Sequence, residues 1–169
     1  MSGQRRAMGT GQRGQELAEW VALYHAAREL SRRGFVVGHT LRNMPMVDLT
    51  ATKDGRTITI DTKGSTQPHW MTQNLLKGGR ETPNHFVILV YTPPPPRNAS
   101  GNDRLPEPRA FVLRGADAVR ITKETVRLGL ERWKSVVVGA YLANKDPRYP
   151  TVSEFEDRWD LLDTGPGKT

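Results

Sequence analysis

The 169-residue chain contains no cysteine. That excludes disulfides, thiolate zinc sites and a cysteine nucleophile. Its apolar runs fall far short of the ~20 residues a membrane helix needs. The N-terminal segment MSGQRRAMGTGQRGQ is basic but has no apolar stretch behind it, so it does not read as a secretory signal. These absences lead to the expectation of a cytoplasmic protein with no membrane partner. No internal repeat is visible.

Acidic residues are outnumbered, 18 against 25 basic ones, which leaves a net charge of +7. A surplus of that size suits a polyanionic partner, because neutralising phosphates releases counterions. Eighteen of the basic residues are arginine, which forks well onto phosphate. Arginine-rich composition also arises from a GC-rich genome, so charge alone is a modest argument for nucleic acid. The hydrophobic fraction of 36% fits an ordinary soluble domain of this length with a core of its own.

Residues 1–13 lack periodicity and read as a flexible basic tail ahead of one domain spanning 14–163. A helix is expected from Gln15 to about Arg33, stopped by Gly34. Leu17, Trp20, Val21, Tyr24, Ala27 and Leu30 recur at helical spacing and are expected to form its buried face. Strands follow over 35–40, 46–52 and 57–63. The last two are joined by Lys53-Asp54-Gly55-Arg56, and Asp-Gly is a strong hairpin signal. Trp70, Met71 and Leu75 suggest a short helix ended by Gly78 and Gly79. The run 85–92 reads as a buried central strand. Residues 93–108, with four consecutive prolines, form a long loop, and 110–114 a fifth strand.

From Ala116 the pattern turns helical. Val119 and Ile121 fall in a short helix or turn, and Thr122 is placed to cap a longer one through Trp133. Val136 to Val138 fits either an extension of that helix or an edge strand. Ser153 and Glu156 match a capping box before a last helix carrying Phe155, Trp159 and Leu162. Residues 164–169 are a polar tail. This order predicts one α/β domain with a mixed central sheet of about five strands flanked by helices.

The chemistry concentrates in PMVDLTATKDGRTITIDTK, residues 45–63. Alternation puts Ile58 and Ile60 on one face of the third strand and Asp61 and Lys63 on the other. Asp48 lies on the neighbouring strand across the Asp-Gly turn, where register can bring its carboxylate beside that of Asp61. Composition alone predicts about 0.7 acid-x-lysine pairs in such a chain, so the pair gains its weight from this context. Two carboxylates can hold Mg²⁺ and still leave room for water and a phosphate oxygen. A lysine beside them can orient or deprotonate the attacking water and offset charge. The bland reading is a solvated strand face with an ordinary ion pair.

Pro45, Asp48, Asp61-Thr62-Lys63 and Glu16 on the preceding helix together resemble the PD-(D/E)xK nuclease superfamily. The likeness is to its restriction-endonuclease-like and Holliday-junction-resolvase-like members and covers residues 14–64. It departs from the pattern in the position of Pro45, two residues early, and in Asp as the second acid. The resemblance implies a Mg²⁺- or Mn²⁺-dependent endonuclease acting on DNA. It makes Asp48 and Asp61 metal ligands, Lys63 the catalytic lysine and Glu16 an accessory acid at the metal. It also implies a homodimer or a targeting partner to select the substrate. Arg42, Gln67, His69, Gln73, Lys77 and Arg80 flank the site in sequence and are candidate nucleic-acid contacts. The rivals are a non-catalytic nucleic-acid-binding module and a protein-interaction module on the same fold.

Overall fold

The computed structural model describes residues 10–40, 47–96, 98, 100–129, 137–139 and 150–163. A long helix, α1 (Thr10–Arg32), leads into strands β1 (Val36–His39), β2 (Leu49–Lys53) and β3 (Arg56–Ser65). There follow β4 (His69–Met71), β5 (His85–Tyr91), β6 (Arg109–Arg114), α2 (Gly115–Arg127) and β7 (Val137–Gly139). Five strands form one sheet in the order β1-β2-β3-β5-β6, and β4 and β7 form a separate pair. Within the large sheet only β3 and β5 run parallel, so it is mixed, as expected.

The hairpin is built as its sequence suggests. Asp54 and Gly55 both have positive φ, 50° and 76°, and Leu49 pairs with Ile60 across the turn. The parallel β3–β5 pair needs a crossover, and residues 66–84 supply it. One face of the sheet buries Leu49, Ala51, Ile58, Ile60, Ile88 and Val90 beneath α1. The other buries Val87, Leu89, Phe111 and Leu113 against α2, Trp70 and Leu75. The result is one α/β domain in three layers.

Helix α1 begins at Thr10 and not at Gln15, and its buried face keeps Leu30 of the expected set but not Leu17, Trp20 or Tyr24. Ala18, Ala22, Ala26 and Leu30 are buried, while Leu17, Trp20 and Tyr24 are 59%, 45% and 59% exposed. The reason is distance. At Gly64 a Cβ would meet the Ala18 carbonyl oxygen at 1.9 Å, so helix and strand backbones touch there. Only small side chains fit between them. Gln15 Nε2 seals the contact by donating to the Gly64 carbonyl at 3.0 Å.

Other expectations shift for similar non-local reasons. Trp70 and Met71 lie on β4, pairing with Val138 and Val137, and not on a helix. Trp70 Nε1 also donates to the Val90 carbonyl at 3.2 Å. The helix in this stretch is a single 3₁₀ turn, Gln73–Leu76. Val136 lies outside the described residues, while Val137 and Val138 are on a strand. Thr122 is inside α2, its hydroxyl bonded to the Ala118 carbonyl at 2.7 Å, so it is no cap. The proposed end of that helix at Trp133 lies outside the described residues.

The last segment is two 3₁₀ turns, Ser153–Phe155 and Trp159–Leu162, separated by Asp157 at φ 53°. Phe155, Trp159 and Leu162 are nevertheless buried. Glu156 makes no capping box there: its carboxylate takes a bidentate pair from Arg109, at 2.6 and 2.9 Å.

Candidate active site

Strand β2 pairs with β3 only as far as Leu49 opposite Ile60, so among the described residues β3 has an open edge on that side from Asp61 onward. The N–H of Thr62 faces that opening and needs an acceptor. Asp48, the residue just before β2, supplies it. Its Oδ2 accepts from Thr62 N at 2.6 Å and from Thr62 Oγ1 at 3.0 Å. This fixes the carboxylate against β3 and leaves Oδ1 for another partner. Thr62 is a site residue that sequence reasoning passed over. Its signal was its place between Asp61 and Lys63 on the strand facing Asp48.

Burial is the main cause that raises the Asp48 carboxyl above its ordinary value of 3.8, with the nearby Asp61 charge adding to it. The Thr62 hydrogen bonds and Lys63 pull the other way. The fold therefore favours the protonated acid. That contribution is fully present below the unfolded value and is lost as pH rises through the raised one. Asn at this position keeps an acceptor for Thr62 and carries no charge. Asp48→Asn is accordingly expected to melt at the same temperature or about 1–4 °C higher at neutral pH in EDTA. A clear fall in melting temperature would mean that the charged hydrogen bonds outweigh the burial.

Asp61 is 6% exposed and is held from two sides. Arg80 Nε donates to its Oδ2 at 3.1 Å, and Lys63 Nζ stands 3.5 Å from its Oδ1. Arg80 is 2% exposed, and its Nη1 also donates to the Asn74 carbonyl at 2.8 Å. Its guanidinium is thus turned inward onto Asp61. Behind it lies His85, whose Nδ1 pairs with Thr59 Oγ1 at 2.9 Å and whose buried Nε2 has no partner. Burial is the main cause that lowers the His85 pKa; the Asp61 charge opposes it and Arg80 adds to it.

These groups line a cleft of about 1140 Å³ that runs along the open edge of β3. Asp48, Asp61 and Lys63 come together in it, and Glu16 reaches its wall from α1. His69, Gln73 and Arg80 also line the cleft, whereas Gln67 and Lys77 do not. Arg42 lies outside the described residues. Trp20, expected on the buried face of α1, is on the cleft wall as well, and so is the exposed His39.

The donor set fits a hard divalent cation to the extent of two carboxylates. Mg²⁺ is commonly held by one or two, with water and phosphate oxygens completing its shell. Among the described residues no group of three or more His, Cys, Asp or Glu side chains is placed to hold a metal ion. Glu16 shares the cleft with Asp48 and Asp61 without forming such a group. No helix among the described residues is long and apolar enough to cross a membrane.

The architecture defines a single-domain mixed α/β protein with an acidic and basic cluster at one open strand edge. Among solved structures, the chain is similar to "The structure of a bacterial homing endonuclease: I-Ssp6803I", with a TM-score of 0.44 and 11% sequence identity. That likeness covers 91% of this chain and 92% of the other. No family model matches the sequence, and no curated protein matches it.

Proposed function

We propose that this protein is a metal-dependent nuclease that hydrolyses phosphodiester bonds, with DNA as its substrate. The observation that carries the reading is the convergence of Asp48, Asp61 and Lys63 in one cleft at the open edge of β3. The net charge of +7 supports a polyanionic substrate. Asp48 and Asp61 would hold Mg²⁺ or Mn²⁺, with Glu16 as an accessory acid on the wall. A bound divalent ion would acidify water and offset negative charge on the phosphoryl oxygens.

The remaining work falls to the chain's own residues. Thr62 holds Asp48 in place, and Arg80 holds Asp61, so neither carboxylate must reorganise when substrate arrives. Lys63 Nζ orients the attacking water and offsets charge on the phosphoryl oxygen. Water adds to phosphorus and gives its proton to solvent, one ester P–O bond breaks, and the leaving oxygen takes a proton from solvent, so that the strand is left with one phosphate end and one hydroxyl end. His69 and Gln73, on the same wall, would contact the strand. A homodimer or a targeting partner would supply selectivity.

A plasmid- and oligonucleotide-cleavage assay with Mg²⁺ and Mn²⁺ tests this. Cleavage is expected to stop in EDTA. Asp61→Asn and Lys63→Ala are expected to cut at least ~10²-fold more slowly. Undiminished cleavage by both variants would sink the assignment. Tight binding with no cleavage by the wild-type protein would leave a nucleic-acid-binding module instead.

A further inference from the structure

Large aromatic rings left in water beside a cleft call for an occupant. On α1, Leu17, Trp20 and Tyr24 are exposed. Trp20 and Tyr24 stack, with ring centroids 5.8 Å apart and planes 19° apart. His39 of β1 leans on Tyr24 at 6.0 Å. Both Trp20 and His39 belong to the cleft wall that holds Asp48, Asp61 and Lys63. Ala18, two residues before Trp20, touches the backbone of Gly64, the residue after Lys63. Trp20 therefore sits about 3 Å further along the helix axis from that contact. One turn beyond Tyr24, Arg28 is exposed.

We infer that Trp20, backed by Tyr24, is a stacking platform for an unpaired nucleobase of the strand whose phosphate lies at Asp48 and Asp61. This rests on the nuclease reading above and narrows its substrate to DNA with an unpaired nucleotide near the cut. Three features favour a base over a second copy of this chain. The exposed stripe is aromatic in its centre. It is continuous with the cleft. Exposed charged residues, Glu16, Glu19 and Arg28, interrupt the helix surface around it, where a helix–helix seam would bury apolar neighbours. A base has a π-face whatever its identity, so such a platform tolerates any sequence. Arg28 would then meet a neighbouring phosphate.

The test is equilibrium binding by fluorescence anisotropy, in EDTA, to a labelled duplex with one central unpaired nucleotide and to the fully paired duplex. The wild-type protein is expected to prefer the duplex with the unpaired nucleotide. Trp20→Ala should weaken that binding roughly 5- to 150-fold, the value of one stacked base, and leave the paired duplex within about twofold. Trp20→Phe should retain most of the preference. Equal effects on both duplexes, or none on either, would overturn the platform. So would failure of the wild-type protein to bind either duplex, or loss of a dimer by Trp20→Ala in sedimentation. Because Trp20 is on the surface, circular dichroism should show the variant folded. Failure of the nuclease reading is seen separately, as absent cleavage of both duplexes in metal.

Discussion

Gly64→Ala is expected to destabilise the protein by about 3 kcal/mol, at the upper end of what overpacking costs. The atoms an added Cβ would meet are Ala18 O at 1.9 Å, Ala18 C at 2.3 Å and Glu19 N at 2.7 Å. All three are helix backbone, so no rotamer change clears them. The helix must lift from β3 as a body. That breaks the bond from Gln15 to the Gly64 carbonyl and loosens Ala18, Ala22 and Ala26 from the sheet. In a chain of this length the melting temperature should fall by roughly 6–12 °C. Gly14→Ala is the control, since nothing lies within 4 Å of a Cβ there. Inside α1 it should stabilise by up to ~1 kcal/mol, the same substitution with the opposite sign. Ala18→Gly should not rescue Gly64→Ala, because it removes no clashing atom. Equal melting of Gly64→Ala and the wild-type protein would mean that helix and strand do not touch as described.

That contact also explains which parts of the architecture were legible. The hairpin could be read because its information is local: strict alternation on β3, an Asp-Gly turn, and a two-residue period that puts Asp61 and Lys63 on one face. The buried face of α1 could not. Counting apolar residues favours Leu17, Trp20 and Tyr24, but the separation of helix and sheet near Ala18 is set by Gly64, far away in sequence, and there only small side chains fit. Gly64, directly after Lys63, permits close approach of another backbone. That the approaching backbone belongs to α1 was not legible.

The site divides in the same way. Asp48 opposite Asp61 followed from register, and Lys63 from alternation. The groups that hold them did not. Thr62 serves Asp48 because β2 stops at Leu49, and no local signal marks where a strand loses its partner. Arg80 reaches Asp61 through the crossover between β3 and β5, where Trp70 and Met71 pair with β7 and not with each other's helical neighbours. Such pairing is set by partners some 68 residues apart, as Trp70 and Val138 are, and propensity does not report it.

Arg80→Leu should cost about 3–5 kcal/mol, because it leaves a buried carboxylate without its main partner. Asp61 is 6% exposed and Arg80 2%. Once Arg80 Nε is gone from 3.1 Å, only Lys63 at 3.5 Å remains among the described residues to offset the charge. The backbone at Arg80 is clamped independently, since a Cβ at Gly115 would meet the Arg80 carbonyl oxygen at 1.8 Å. The loss is thus one of charge compensation and not of chain position. Melting temperature in metal-free buffer should fall by roughly 6–20 °C. Adding Asp61→Asn to Arg80→Leu removes the stranded charge, and the double variant should be more stable than Arg80→Leu alone. The coupling in that cycle is expected to exceed ~1 kcal/mol. A phosphate-contacting arginine would behave otherwise. Melting would not change, affinity for a duplex would fall for every sequence alike, and the slope of log affinity against log salt would become shallower by about one. The two measurements together decide whether Arg80 serves the carboxylate or the substrate.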